Sequence, residues 1–331
     1  MSTNAWAAPP PAASASASAP VSVVDTRTLV TMPSGWRVGD KASFAIERTM
    51  SSLNMRWPDL QPPMKITVDA EVLSVGQDGN AVHRLHMAGP GARSMGTVTV
   101  EVDLEVSSRG EILRVINLDA LIDKVFGGKR EALELATRDA PAEERKKMIE
   151  RLEHLMSPEV VKSNLLELPR WIYAAGLGEQ YRDGTVGDVP ARRMVLGTDV
   201  TIDTVRRYRV ETTAKTRSAV ITTLEEVPSD ALPGALSAGM AAMNKRLGVD
   251  DATTASDKAR AGMVRTLSEL RMGLRTEGRF EVEDRQPWPR AVTERRIVSG
   301  VRDGKPMSMV IETTLARIDG ATPAATPDSQ R

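Results

Sequence analysis

Three histidines, sixteen methionines and no cysteine bound the chemistry that these 331 residues can perform. His83 and His86 are followed by Met87, Met307 and Met309 lie two apart, and Met240 and Met243 lie three apart. Imidazole and thioether ligands suit copper. On a strand, however, residues three apart point to opposite faces, so His83 and His86 cannot chelate one ion together. His154, beside Glu153, reads as a solvated helix residue, and packing of unbranched, adaptable Met side chains explains the remainder more simply. No metal site and no cofactor is assigned.

Nucleophilic chemistry fares no better. Ala92-Arg93-Ser94-Met95-Gly96 and Ala235-Leu236-Ser237-Ala238-Gly239 are Ala variants of the hydrolase elbow, which needs its Ser on a strand-to-helix turn with a His and an acid at hand. Ser94 precedes a strand instead of following one, and Ser237 sits inside a helical pattern with no His after it. Gly128-Lys129 and Gly304-Lys305 lack the earlier Gly of a phosphate loop, since Asp123 and Ser299 stand there. Glu101, Asp103 and Glu105 share one strand face about 7 Å apart, a spacing compatible with acid–base work, but a solvated face accounts for them. No catalytic residue is assigned.

Composition narrows the classes further. Lys+Arg and Asp+Glu balance at 44 each, and a neutral chain lacks the excess cation that nucleic-acid binding requires. Without cysteine there are no disulfides, thiolate nucleophiles or thiolate metal sites. Charge is unevenly placed. Residues 66–111 hold seven acidic side chains against three Arg, and residues 192–217 hold seven basic against three acidic. Either two surfaces complement each other across the fold, or the basic segment meets an anionic partner such as lipid headgroups.

The elements that must position any site are legible from periodicity. Val98, Val100, Val102, Leu104 and Val106 alternate with polar residues across Thr97–Ser107, which predicts a strand with one buried and one wet face, hence an antiparallel sheet. Further strands are predicted at Phe44–Met50, Ile66–Val75, Val82–Met87, Val205–Val210, Ala219–Val227, Phe280–Glu283, Ala291–Val298 and Met307–Leu315. Hairpin loops are predicted at Gln77-Asp78-Gly79-Asn80, Ser108-Arg109-Gly110 and Arg302-Asp303-Gly304-Lys305.

Helical spacing joins Leu118, Leu121, Ile122, Val125 and Phe126, with Asn117 as N-cap and Gly127-Gly128 as the stop. A helix opened by Pro141 is expected to bury Met148, Leu152, Leu155 and Met156, and another starting at Ser157-Pro158-Glu159 carries Val161, Leu165 and Leu168 toward Trp171. A later block places Met240, Met243 and Leu247 on one helix and Met263, Leu267 and Leu270 on another. The fold class is α+β: long antiparallel strands in two β-rich halves, with two helical insertions packed on the sheet. The first half spans 25–182 with its helical block at 117–175, and the second spans 183–319 with its block at 230–273. Val38-Gly39-Asp40 and Val186-Gly187-Asp188, and the pairs Trp57-Pro58 and Trp288-Pro289, echo between the halves.

Residues 1–24 carry no charge and are dominated by Ala, Pro and Ser, and 320–331 are similarly simple, so both read as disordered tails. Ala5-Trp6-Ala7 has the small-x-small form of a signal-peptidase site without the apolar segment that should precede it. The expectation is a periplasmic or secreted protein whose signal peptide is truncated here. No apolar run approaches the roughly 18 residues of a membrane-spanning helix, so no transmembrane segment is expected.

The Val-Gly-Asp turn opening a β-rich half resembles uncharacterised bacterial extracytoplasmic families built of two such halves. Long strands with helical insertions over about residues 35–318 also resemble the LolA-like lipoprotein-carrier fold, a pattern without an anchoring motif. That resemblance implies a concave sheet face closed by helices that receives an apolar or lipid-like ligand. On this chain the ligand-binding face falls to Val98, Val100, Val102 and Leu104 on one strand, covered by Leu118, Ile122 and Phe126. The expected function is therefore binding of an apolar or amphipathic ligand, or an envelope interaction module, rather than catalysis. A hydrolase with an unrecognised site and a structural scaffold are the alternatives, and the sequence assigns no oligomeric state.

Overall fold

A computed structural model describes residues 29–54, 63–90, 97–124, 134–135, 137–138, 141–155, 158–167, 169–174, 176–195, 200–246, 262, 265, 269, 271–302 and 304–318. Among them, strands dominate: β1 (Leu29–Thr31), β2 (Lys41–Leu53), β3 (Met64–Val75), β4 (Ala81–Pro90), β5 (Thr97–Val106), β6 (Ile112–Val115), β7 (Gln180–Arg182), β8 (Val186–Met194), β9 (Thr201–Thr213), β10 (Ser218–Val227), β11 (Gly273–Glu283), β12 (Ala291–Arg302) and β13 (Lys305–Arg317). The helices are short: residues 118–124, α1 (Ala142–Leu155), α2 (Pro158–Leu166), a 3-10 turn (Pro169–Tyr173) and α3 (Ala231–Arg246). The expected α+β class fits loosely, because the protein is mainly antiparallel β.

Eleven strands form one antiparallel sheet in the order β6-β5-β4-β3-β2-β13-β12-β11-β10-β9-β8. The seam is β2 against β13, with Ile46 opposite Leu315 and Arg48 opposite Thr313. β1 and β7 pair separately. Laid flat, eleven strands at about 4.8 Å spacing would extend about 48 Å. Yet one core cluster holds Val102 and Leu104 near one edge, Val210 and Ile221 near the other, and Trp171 and Ile172 between them. The sheet therefore curls, and its concave face wraps the 3-10 turn. A second, smaller core joins Val195, Ile202 and Val227 to Leu232 of α3.

The hairpin loops explain the tight returns. Gly79 at φ 80° and Gly110 at φ 90° take the left-handed conformation that closes a three-residue hairpin loop, with Gly76 N donating to the Asn80 carbonyl and Ser107 N to the Glu111 carbonyl. β8 breaks strand periodicity with Gly187 and Pro190, and it escapes sequence reading for that reason. It survives because it lies at the sheet edge, where Pro interrupts no second ladder.

Two helix expectations need correction. Asn117 does occupy the N-cap position, since its carbonyl accepts from Leu121 N at 3.0 Å. Its side chain, however, ties the helix to β5, accepting from Asp103 N at 2.9 Å and donating to the Glu101 carbonyl at 3.1 Å. Met148 of α1, expected to be buried, is 41% exposed. Val161 of α2 and Trp171, toward which that helix leads, are both buried. The side chains of Leu152, Leu155 and Met243, and Gly127, Gly128, Met156, Leu168, Leu247, Met263, Leu267, Leu270 and both tails, lie outside the described residues. No helix among the described residues is long and apolar enough to cross a membrane.

Candidate functional site

The strand face expected to hold a ligand points inward. Val102 and Leu104 have no accessible surface and pack in the main core, and Val100 and Leu118 are half-buried against it. Ile122 is half-buried one turn further along, while the side chain of Val98 and the whole of Phe126 lie outside the described residues. The structure thus brings Val100, Val102, Leu104 and Leu118 onto one core, with the first strand face closed by packing. His83 and His86 stand on opposite faces as expected: His83 is fully buried, and His86 lies on the outer face, 3.4 Å from Glu101.

Further along the same concave face the chemistry changes. Strand pairing sets the inward residues in rows across the sheet. One row runs Ile46, Leu315, Val292, Phe280, Ile221, Val210, all buried and apolar. The next two rows are different. Arg48, Thr313, Glu294 and Gly278 stand opposite one another in one, and Ile311, Arg296, Thr276, Glu225 and Arg206 in the other. A polar belt therefore crosses an apolar trough.

Glu225 anchors one end of this belt. Its side chain is 4% exposed, and its oxygens accept from Arg193 Nε (3.0 Å), Thr204 Oγ1 (2.9 Å), and Arg206 Nε and Nη2 (3.2 and 2.8 Å). Burial alone would push this carboxyl up, but the charges and hydrogen bonds of Arg193 and Arg206 outweigh it and hold it low. At the other end, Arg48 donates to Thr313 Oγ1 at 3.2 Å and to Glu167 Oε1 at 2.9 Å, while Arg296 Nε donates to Glu294 Oε1 at 2.5 Å. Glu167 follows the same logic. Burial raises it, and the Arg48 hydrogen bond with the nearby charges of Arg48, Arg296 and Arg170 brings it below the ordinary value.

Arg170 completes this group from the 3-10 turn. Its guanidinium carbon lies 5.0 Å over the Trp171 ring. Its Nε and Nη2 are buried and have no hydrogen-bond partner among the described residues. Burial, followed by the charge of Arg296, lowers its pKa to about 10, and Glu294 and Glu167 offset this only in part. Arg48, Arg170 and Arg296 face Glu167 and Glu294, three cations against two anions. Beside them, the inward residues Met50, Ile311, Met309 and Val298 are only half-buried. The site can hold an anion next to adaptable apolar surface.

At the opposite, closed end, Trp36, His83, Tyr173 and Trp288 pack ring against ring, with centroids 4.4 to 6.0 Å apart. Tyr173 Oη lies 3.2 Å from His83 Nδ1, and burial lowers the His83 pKa to about 3. A neutral, solvent-free imidazole of this kind is a packing residue. The outer face carries a partly open groove of about 290 Å³ lined by Asp203, Val205, Arg207, Leu224 and Glu226, with mixed charge. Among the described residues, the ion pairs of the acidic and basic segments do not join one segment to the other. Arg84 pairs with Asp103 at 2.8 Å, Arg192 with Asp203 at 3.0 Å, Arg193 with Glu225 at 3.0 Å, and Arg217 with Asp284. Ser237 is buried on α3, and no His/Cys/Asp/Glu cluster fit for a metal occurs among the described residues.

Sequence reading missed the belt, although its signal was present. Glu294 and Arg296 share the parity of Val292 and Val298, and Glu225 shares that of Ile221 and Val227, so the alternation itself carries charge onto the buried face. Arg170 had no such signal.

No protein-family model matches the chain, and no curated protein matches it in sequence. Among solved structures, an S-type phycobiliprotein lyase from Guillardia theta is similar at 8% identity and a TM-score of 0.21, over 86% of this chain and 89% of that one. A porin-like protein from Bacteroides uniformis is similar at 8% identity and a TM-score of 0.21, over 86% of this chain and all of that one (100%). Both likenesses are too weak to carry a functional argument, and the function rests on this chain's own geometry.

Proposed function

We propose that this chain is an extracytoplasmic binding protein for an amphipathic ligand held on the concave face of its sheet. The observation that carries this reading is the juxtaposition, on one inward face, of a polar belt with excess guanidinium and of half-buried Met50, Met309, Ile311 and Val298. Purely structural cores avoid inward charge, because desolvating it costs several kcal/mol unless it is paired. Methionine surfaces adapt to varied alkyl shapes. The expected site near Val102 and Leu104 thereby shifts along the trough toward the belt, where packing is looser. The extracytoplasmic placement draws on the cysteine-free composition and the Ala5-Trp6-Ala7 pattern. It is tested by fractionating cells that express the tagged protein from its native locus.

The binding test uses the uncharged apolar dye N-phenylnaphthylamine with the full chain. Saturable fluorescence enhancement, reversed by long-chain amphiphiles, is the expected result. Absence of uptake and of displacement would leave a structural scaffold.

A further inference from the structure

Among the described residues, Arg170 carries a guanidinium with two buried nitrogens that have no hydrogen-bond partner. The other four inward arginines of the belt each donate to a protein oxygen: Arg48 to Glu167 and Thr313, Arg296 to Glu294, Arg193 to Glu225 and Thr276, and Arg206 to Glu225. In Arg170 the two buried nitrogens without a partner among the described residues are Nε and Nη2. These two share one side of the planar guanidinium, and their N–H bonds run parallel as a fork. That fork matches two oxygens on a single carbon or phosphorus atom. Leaving such donors unmet in the interior costs more than a neutral hydrogen bond returns, which makes the edge a receptor for an oxyanion.

We infer that the side-on edge of Arg170 anchors the head group of a carboxylate- or phosphate-headed amphiphile, whose apolar chain lies along Met50, Ile311, Met309 and Val298. This rests on the amphipathic-ligand reading above and names its head-group chemistry. Charge agrees with geometry. With Arg48, Arg170 and Arg296 opposed by Glu167 and Glu294, one bound monoanion brings the local sum to zero. The lowered Arg170 pKa has burial as its largest cause, and a bound anion would reverse it. Arg48 and Arg296 already engage carboxylates, so they fix the field around the anion while Arg170 supplies the fork. The fatty carboxylate and the alkyl phosphate share this recognition and differ in source.

The test measures displacement of N-phenylnaphthylamine from the full chain by hexadecanoate, hexadecyl phosphate and hexadecanol. Wild type is expected to bind one or both anions roughly ten- to hundredfold more tightly than the alcohol, and the tighter anion identifies the source. Arg170→Gln should bring the anions down to the level of the alcohol while leaving dye and alcohol binding unchanged. Arg170→Lys, which keeps the charge but loses the fork, should recover only part of the preference. Equal binding of alcohol and anions by wild type would overturn the anchor and leave the amphipathic-ligand reading standing. So would an Arg170→Gln variant that keeps the full preference. Failure of dye and every amphiphile to bind would overturn both. Because the wild-type comparison needs no variant, a misfolded Arg170→Gln protein does not rescue the proposal.

Discussion

Glu225 and Glu226 are chain neighbours that face opposite sides of β10, and their removal should cost very different amounts of stability. Glu225 is 4% exposed and accepts four hydrogen bonds, three of them from the guanidinium groups of Arg193 and Arg206. Glu225→Ala removes the carboxylate that both cations share. Removing one partner of a buried pair costs about 3–5 kcal/mol. The two Arg side chains retain 19% and 21% exposure, so water relieves part of the charge and the lower figure applies, about 3 kcal/mol. Glu226 is 55% exposed and meets Arg275 only at 3.5 Å, so Glu226→Ala should cost no more than about 0.5 kcal/mol. Urea unfolding followed by tryptophan fluorescence resolves the two: with an m-value near 3 kcal/mol/M, Glu225→Ala should lower the midpoint by about 1 M. Glu225→Gln, which keeps shape and one acceptor, should fall between. A Glu225→Ala midpoint within about 0.2 M of wild type, or a larger loss for Glu226→Ala, would refute the inward polar belt.

Three further outcomes follow from the same structure. Val102→Asp places a charge where no accessible surface exists and should destabilise by several kcal/mol or prevent folding, read by circular dichroism and urea titration. His83 stays neutral in the fold down to about pH 3, while the unfolded imidazole binds a proton below its ordinary 6.5. Stability should therefore fall as pH drops from 6.5, by up to about 1.4 kcal/mol per pH unit, and His83→Gln should be flatter between pH 6.5 and 5, above the range where the low-pKa Glu225 and Glu167 protonate. An unchanged wild-type midpoint over that interval contradicts the burial. Gly278→Ala drives a methyl into Thr223 Oγ1 and to 3.0 Å from Phe280, and should cost about 1–3 kcal/mol. Thr223→Ala in the same chain should restore part of that loss, and no restoration would mean the clash lies elsewhere.

What the sequence determined by itself is nine of the thirteen described strands and the faces they present. Alternation at Thr97–Ser107 predicted β5, and the strands read at Phe44–Met50, Ala291–Val298 and Met307–Leu315 each fall inside an observed strand, because a period of two is a local consequence of the pleat. Parity also foretold that His83 and His86 part company, and the same alternation carries Glu225, Glu294 and Arg296 onto the buried face, a signal the strand assignments left unused. Only the tertiary structure decided which inward faces meet. Curling of eleven strands sets Val102 and Phe280 in one core, and that long-range closure leaves no periodic trace in the chain. The same holds for Arg170. A five-residue 3-10 turn has too little periodicity to declare a face, and the guanidinium reaches Arg48, Glu167 and Arg296 only because the sheet wraps around it. Val102 and Leu104 looked like a ligand face for the complementary reason: an apolar strand face has the same sequence whether a ligand or the protein's own core covers it.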